Sequence, residues 1–331
     1  MKKALMLLLV VTVLAGTLFA GGQTEAAEDD TLKIAALLPG PINDGGWNTL
    51  MYNSLLYQEE KFGAEIAYTE RTPASDYEEI FRGYAESGYE IIFGHGFEFG
   101  DPAMKVAPDY PDVTFIINST NISQEPNLGS FLVYDFQCGF AQGAVAAIAS
   151  ESGVVGFVGG MEIPPIVNQG KGFVAGAKYI NPDVDAKYLL TGDFHDVAKA
   201  KEMTKSLISE GADIVVADAD EGNHGIIEAV EEADALVIGC SGDLYETVPE
   251  AREVVLTSVT EDMPMGHSLV IEHILDGSFK PRNYLIGFED GAVDLAPFRD
   301  KASLFSDEQI AKINEILDGL KDGSIDVSQY E

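Results

Sequence analysis

Basic residues are scarce in this chain. Its 331 residues include 20 Lys+Arg against 55 Asp+Glu, a formal net charge of −35. No nucleic acid is expected as a partner, because phosphates need a basic face. The same imbalance argues against an anionic membrane surface, and its ordinary consequence is solubility. Cysteine is nearly missing. Cys138 and Cys240 are the only two, too few for a disulfide framework even in an exported protein, and they read as buried free thiols. Beyond the N-terminus no run reaches the roughly 18 apolar residues of a spanning helix.

Catalytic signatures are also missing. Gly156-Phe157-Val158-Gly159-Gly160 follows a strand-like run but is not GxGxxG, and no P-loop Lys-Ser/Thr follows it. The five histidines form no HExxH. His195 with Asp196, and His95 with Glu98, are weak as metal pairs and read as hydrogen-bonding groups. There is no GxSxG elbow, and nothing beside either cysteine activates it. The acidic run 228–234 lacks the EF-hand pattern and reads as a solvated helix face. The expectation is a protein that is not an enzyme and holds no cofactor and no metal.

What is there begins with a targeting pattern. Met1-Lys2-Lys3 is a basic n-region, Ala4 to Phe19 an apolar h-region, and small residues follow at Ala20, Gly21 and Gly22. Residues 1–20 read as a secretory signal and 21–30 as a polar tether. The chain is expected to be exported, periplasmic or at the cell surface. No cysteine near the cleavage region offers a lipid-acylation site.

From residue 31 onward, strand-like runs alternate with helix-like segments of ten to fifteen residues, which implies an α/β protein with parallel sheets covered on both faces. Examples are the strand Leu32–Leu38 before the helix Asn48–Phe62, and the strand Leu236–Gly239. About ten strands exceed one comfortable sheet, so two doubly wound lobes are expected. Polar or Gly-containing joints at Asp135 to Gln142 and Gly239 to Gly242 place the lobes at 31–134 plus 256–298 and at 135–255, with a C-terminal helical segment at 299–331.

In such sheets ligands bind where loops leave the carboxyl ends of strands. The first such loop, Leu37 to Asn48, offers Asn43, Asp44 and Trp47, the only tryptophan. Later loops offer His95, Asp135, Phe194, Asp196 and Asp220. Trp47 and Phe194 are placed to close on opposite faces of one flat ligand. Asp44 and Asp135 are placed to accept hydrogen bonds from its N–H or O–H groups.

These residues carry a resemblance. Asp44-Gly45-Gly46-Trp47-Asn48 is similar to a D-x-x-F-N motif, and Gly192-Asp193-Phe194-His195-Asp196 to G-S-F-x-D. Between them lie Gly83 to Tyr89 leading into Phe93-Gly94-His95-Gly96, Asp135 with Gly139 to Ala147, Gly153 to Gly160, and Gly172 to Ala177. In this order and spacing, over about residues 32 to 298, the chain resembles the basic membrane protein family of ABC-transporter substrate-binding proteins, the group with PnrA-like purine nucleoside receptors. The resemblance implies a type I periplasmic-binding-protein fold, with two Rossmann-like lobes joined by a hinge, and no catalysis. It also implies transporter permease subunits as partners and a monomer. Two aromatics that sandwich the base map onto Trp47 and Phe194, a hinge carboxylate onto Asp135, and first-loop polar groups onto Asp44 and Asn48. On the sugar side Asp243 is kept, while Ser241 and Glu261 stand where nucleoside-binding members have Asp and Lys. A purine nucleoside is the expected ligand. A nucleobase or flavin, a sensory binding role, and an exported nucleoside-processing enzyme are the alternatives.

Overall fold

Strand β1 (Lys33–Leu37) sets the pattern of the molecule: of its sequence KIAAL only the first residue touches solvent. A strand buried on both faces needs helices above and below it, and the chain supplies them in alternation. The computed structural model describes residues 31–43 and 47–331. The expected signal (1–20), the tether (21–30) and Asp44 lie outside the described residues.

After β1 come α1 (Trp47–Phe62), β2 (Glu65–Thr69), α2 (Tyr77–Glu86), β3 (Ile91–Gly94), α3 (Gly100–Val106), β4 (Thr114–Asn118) and β5 (Leu128–Val133). Then follow α4 (Asp135–Ala149), β6 (Val154–Gly159), α5 (Pro164–Ile180), β7 (Asp185–Leu190), α6 (Val197–Ser209), β8 (Ile214–Asp218) and α7 (Asn223–Glu232). The remainder is β9 (Leu236–Gly239), a short α8 (Leu244–Thr247), β10 (Val255–Glu261), α9 (Met263–Leu275), β11 (Asn283–Ile286), β12 (Val293–Leu295) and α10 (Asp307–Lys321).

Two six-stranded sheets result, ordered β11-β5-β4-β3-β1-β2 and β12-β10-β9-β8-β6-β7. The first is parallel throughout. In the second, only β12 runs antiparallel. Both repeat one winding, in which the order reverses beside the first strand of the unit. The switch points are therefore β1/β3 and β6/β8.

The sheets correct the expected division. Strand β10, expected in the first lobe, pairs in parallel with β9, Ser258 opposite Gly239. The joint expected at Gly239 to Gly242 is thus an ordinary β9–α8 loop. Gly239 is there for close approach, since a Cβ on it would lie 2.5 Å from Ser258 Oγ. The chain instead crosses between sheets three times: after β5, after β10, and between β11 and β12. The first crossing leads straight into α4, which starts at Asp135, inside the joint expected at Asp135 to Gln142.

Helix α4 is buried along most of its length and packs on α5 backbone to backbone. A Cβ on Gly139 or Gly143 would sit 2.0 or 1.9 Å from the carbonyl oxygens of Gln169 and Phe173. A Cβ on Gly172 or Gly176 would sit 2.1 or 1.9 Å from those of Phe136 and Phe140. Two glycines four apart on each helix remove the side chains that would hold the axes apart. The C-terminal segment covers this pair, with Ile313, Ile316 and Leu320 of α10 buried and Gln309 Nε2 donating to the Ile148 carbonyl at 2.7 Å.

Candidate ligand-binding site

The carboxyl end of β1 opens into a loop closed by its own polar groups. Asn48 Oδ1 accepts the Gly40 N–H at 3.0 Å, and Thr49 Oγ1 donates to the Ile42 carbonyl at 2.9 Å. Trp47 opens α1 with its indole stacked on His95, ring centroids 4.1 Å apart and planes 18° from parallel. His95 follows β3, so the pair straddles the β1/β3 switch point.

Beneath Trp47 runs a buried polar relay. Asn118 Nδ2 donates to His95 Nδ1 at 2.8 Å. An amide nitrogen only donates, so the His95 proton is on Nε2, which bonds the Trp47 carbonyl at 2.9 Å. Asn118 Oδ1 accepts from His267 Nε2 at 3.3 Å, leaving His267 Nδ1 to accept from Ser54 Oγ at 2.8 Å. Gln58 Nε2 donates to the Pro264 carbonyl at 2.8 Å and Ser268 Oγ to Gln58 Oε1 at 2.8 Å. Burial, and then His95, hold the His267 pKa well below its ordinary value. The relay ends in the first turn of α9, just past the second crossing.

In the second lobe Phe194 follows β7 and lies on Gly160 at the β6/β8 switch point. A Cβ on Gly160 would sit 2.1 Å from Phe194 Cδ1, so only glycine admits the ring. Gly160 N–H is bonded to the Asp218 carbonyl at 2.9 Å, and Gly222 N–H to that of Phe194 at 2.9 Å.

Carboxyl groups gather at the neighbouring strand ends. Asp218 ends β8 and Glu261 ends β10, with Cys240 and Ser241 between them after β9. Ser241 Oγ donates to Glu261 Oε1 at 3.1 Å, and Gln169 Nε2 reaches Cys240 Sγ at 3.0 Å. Burial, followed by Asp220 and Glu261, pushes Asp218 up to about 7. Burial also raises Glu261 to about 7, against the lowering effect of the Ser241 hydroxyl. Asp135 is pushed well above the usual carboxylate range by burial, then by Glu261 and Asp218. Cys138 is buried and Cys240 only partly so. Burial first, then nearby carboxylates, push both thiols up, which leaves no thiolate nucleophile at neutral pH.

The structure thus brings Trp47, Asp135 and Phe194 to the carboxyl ends of their sheets. His95 is fully buried and stacks on the Trp47 indole. Asn48 holds its own loop. Asp196 is exposed and caps α6, accepting Lys199 N–H at 3.0 Å. Asp243 caps α8 and makes a two-pronged pair with Arg299 at 3.1 and 2.5 Å. Asn43 and Asp220 lie exposed on their turns. Asp218 was not among the expected site residues, and Glu261 entered only as a departure from the nucleoside-binding pattern on the sugar side. For Asp218 the available signal was an acid as the last residue of an otherwise apolar strand; β10, with two threonines and a serine before Glu261, carries no such signal. A surface depression of about 490 Å³ lined by Lys171, Tyr179, Tyr188 and Tyr330 contains none of these groups.

Similarity to known proteins agrees with this geometry. A purine-binding protein of Brucella abortus is 26% identical over 92% of this chain and 86% of its own length. The ABC transporter nucleoside-binding protein BmpA of Lactococcus lactis is 26% identical over 96% of this chain and 98% of its own. A solute-binding protein of an ABC transporter system from Conexibacter woesei superposes with a TM-score of 0.72 at 24% identity, covering 89% of this chain and 98% of that one. The fold is that of type I periplasmic solute-binding proteins. The model of the Bmp family, described as "ABC transporter substrate-binding protein PnrA-like", matches residues 31–329, and the chain belongs to that family.

Proposed function

We propose that this protein captures a flat heterocycle, a purine nucleoside first among them, between Trp47 and Phe194 and delivers it to the permease subunits of an ABC importer. It acts as an exported monomer, and it binds without transforming its ligand. The observation that carries the reading is the matched placement of the two aromatics, each at the switch point of its own sheet and each backed by a built support. His95 lies behind Trp47 at 4.1 Å, and Gly160 lies under Phe194. Relatives named for purine and nucleoside binding support the ligand class. A ligand touching both lobes favours their closed arrangement by its differential affinity for it.

The test is calorimetry with adenosine, guanosine, adenine, guanine and riboflavin, on the wild type and on Trp47→Ala. Loss of one stacked ring is expected to weaken binding by ~1–3 kcal/mol. Free bases binding about tenfold tighter than their nucleosides replace the nucleoside with a nucleobase. Unchanged affinity in Trp47→Ala returns the indole to the core and ends the sandwich reading.

A further inference from the structure

The second lobe holds carboxyl groups without a counter-charge. Asp218, Glu261 and Asp135 come from β8, β10 and the start of α4, three separate elements whose ends meet at the cleft. Among the described residues none of the three is ion-paired, although fifteen ion pairs are formed elsewhere. Glu261 has only the Ser241 hydroxyl, at 3.1 Å. Asp218 Oδ2 is shut off from solvent and has no hydrogen-bond partner at all. An unpartnered buried carboxylate oxygen is costly, and the groups around the three carboxyls are neutral or negative, none of them a cation.

Two occupants could balance such a cluster. A bare metal ion requires several ligands converging on one point, and among the described residues no three His, Cys, Asp or Glu side chains do so. An organic cation spreads its N–H donors over a wider span. The aromatic residues of the same cleft suit it as well, because ring faces attract cations.

We propose that Asp218, Glu261 and Asp135 receive a protonated nitrogen of the ligand, so that this protein selects heterocycles bearing an amine or amidine over their neutral isosteres. The inference rests on the reading of the cleft as a ring-binding site. It differs from that reading in the charge it demands beside the ring.

The matched probes are adenosine, 5′-amino-5′-deoxyadenosine and 3′-amino-3′-deoxyadenosine, titrated calorimetrically into the intact protein at neutral pH. At least one amino compound is expected to bind about tenfold tighter than adenosine or better. Glu261→Gln and Asp218→Asn are each expected to cut that preference for the amino compound over adenosine to about threefold or less. Two variants are used so that misfolding of one leaves the other to decide. Repeating the titration in buffers of different ionisation enthalpy is expected to show protons released on binding of the amino compound, and fewer in each variant. Equal or tighter binding of adenosine overturns the cation preference and leaves the ring-binding reading intact. Binding of none of the three overturns both.

Discussion

The two halves of the cleft share a winding and differ in how their polar groups are satisfied. In the first lobe, the buried groups behind Trp47 form a closed series from His95 through Asn118, His267 and Ser54, each donor aimed at an acceptor. In the second, Asp218 Oδ2 has no partner, and Asp218 and Glu261 are raised to about 7. The first half is a preorganised support. The second is an acidic surface that a ligand or a proton must complete. Repeating a strand order therefore repeats a location and leaves its chemistry free to diverge.

The strongest way to break this contrast is to damage the first half. Asn118→Leu removes the amide that bonds both His95 Nδ1 and His267 Nε2 in the interior. At ~1–3 kcal/mol for each unsatisfied group, urea unfolding is expected to show a loss of about 3–4 kcal/mol. A loss below about 1 kcal/mol means that the series does not support the lobe.

The opposite result is expected in the second half. A carboxyl whose folded pKa is raised holds a proton that the unfolded chain gives up. Its contribution to stability therefore falls as pH rises from the ordinary carboxylate range to about 7. Glu261→Gln removes that loss. The ligand-free variant is expected to exceed wild type by roughly 2–3 kcal/mol near pH 8.5 and to match it near pH 4.5, at about 1.4 kcal/mol for each pKa unit. Unfolding free energies of both proteins across this range check the sign, and a constant difference refutes it.

The smallest effect sharpens where the ligand stops. Asp243→Ala removes a helix cap and the Arg299 pair, costing about 1–2 kcal/mol of stability. Ligand affinity is expected to stay within about twofold. A larger drop in calorimetry places Asp243 in contact with the ligand.

Much of the fold was legible in local pattern. Strand β9 falls on the expected residues, Leu236–Gly239, and the expected helix Asn48–Phe62 is α1, one residue longer at its start, because apolar periodicity is a local signal. Sheet membership of β10 was not legible. The run Val255 to Val259 suits either sheet, and the crossing at Asp262 looks like any helix start. The site divides in the same way. Trp47, Asp135 and Phe194 lie past strand ends, as the loop pattern led one to expect. Asp196 and Asp243 cap helices, and an acid before a helix has one local signature whether it caps the helix or meets a ligand. The bond between Asn118 and His267 joins residues 149 positions apart, and no spacing rule reaches that far.

The glycine faces of α4 and α5 bear on how the molecule can move. Sliding between packed helices proceeds by side chains changing rotamer and finding new grooves. At Gly139, Gly143, Gly172 and Gly176 there are no rotamers to change, and backbone already touches backbone. This pair is a keel that cannot shear. Any relative motion of the two sheets therefore falls to the three crossing segments, beside Asp135, Asp262 and Gly287.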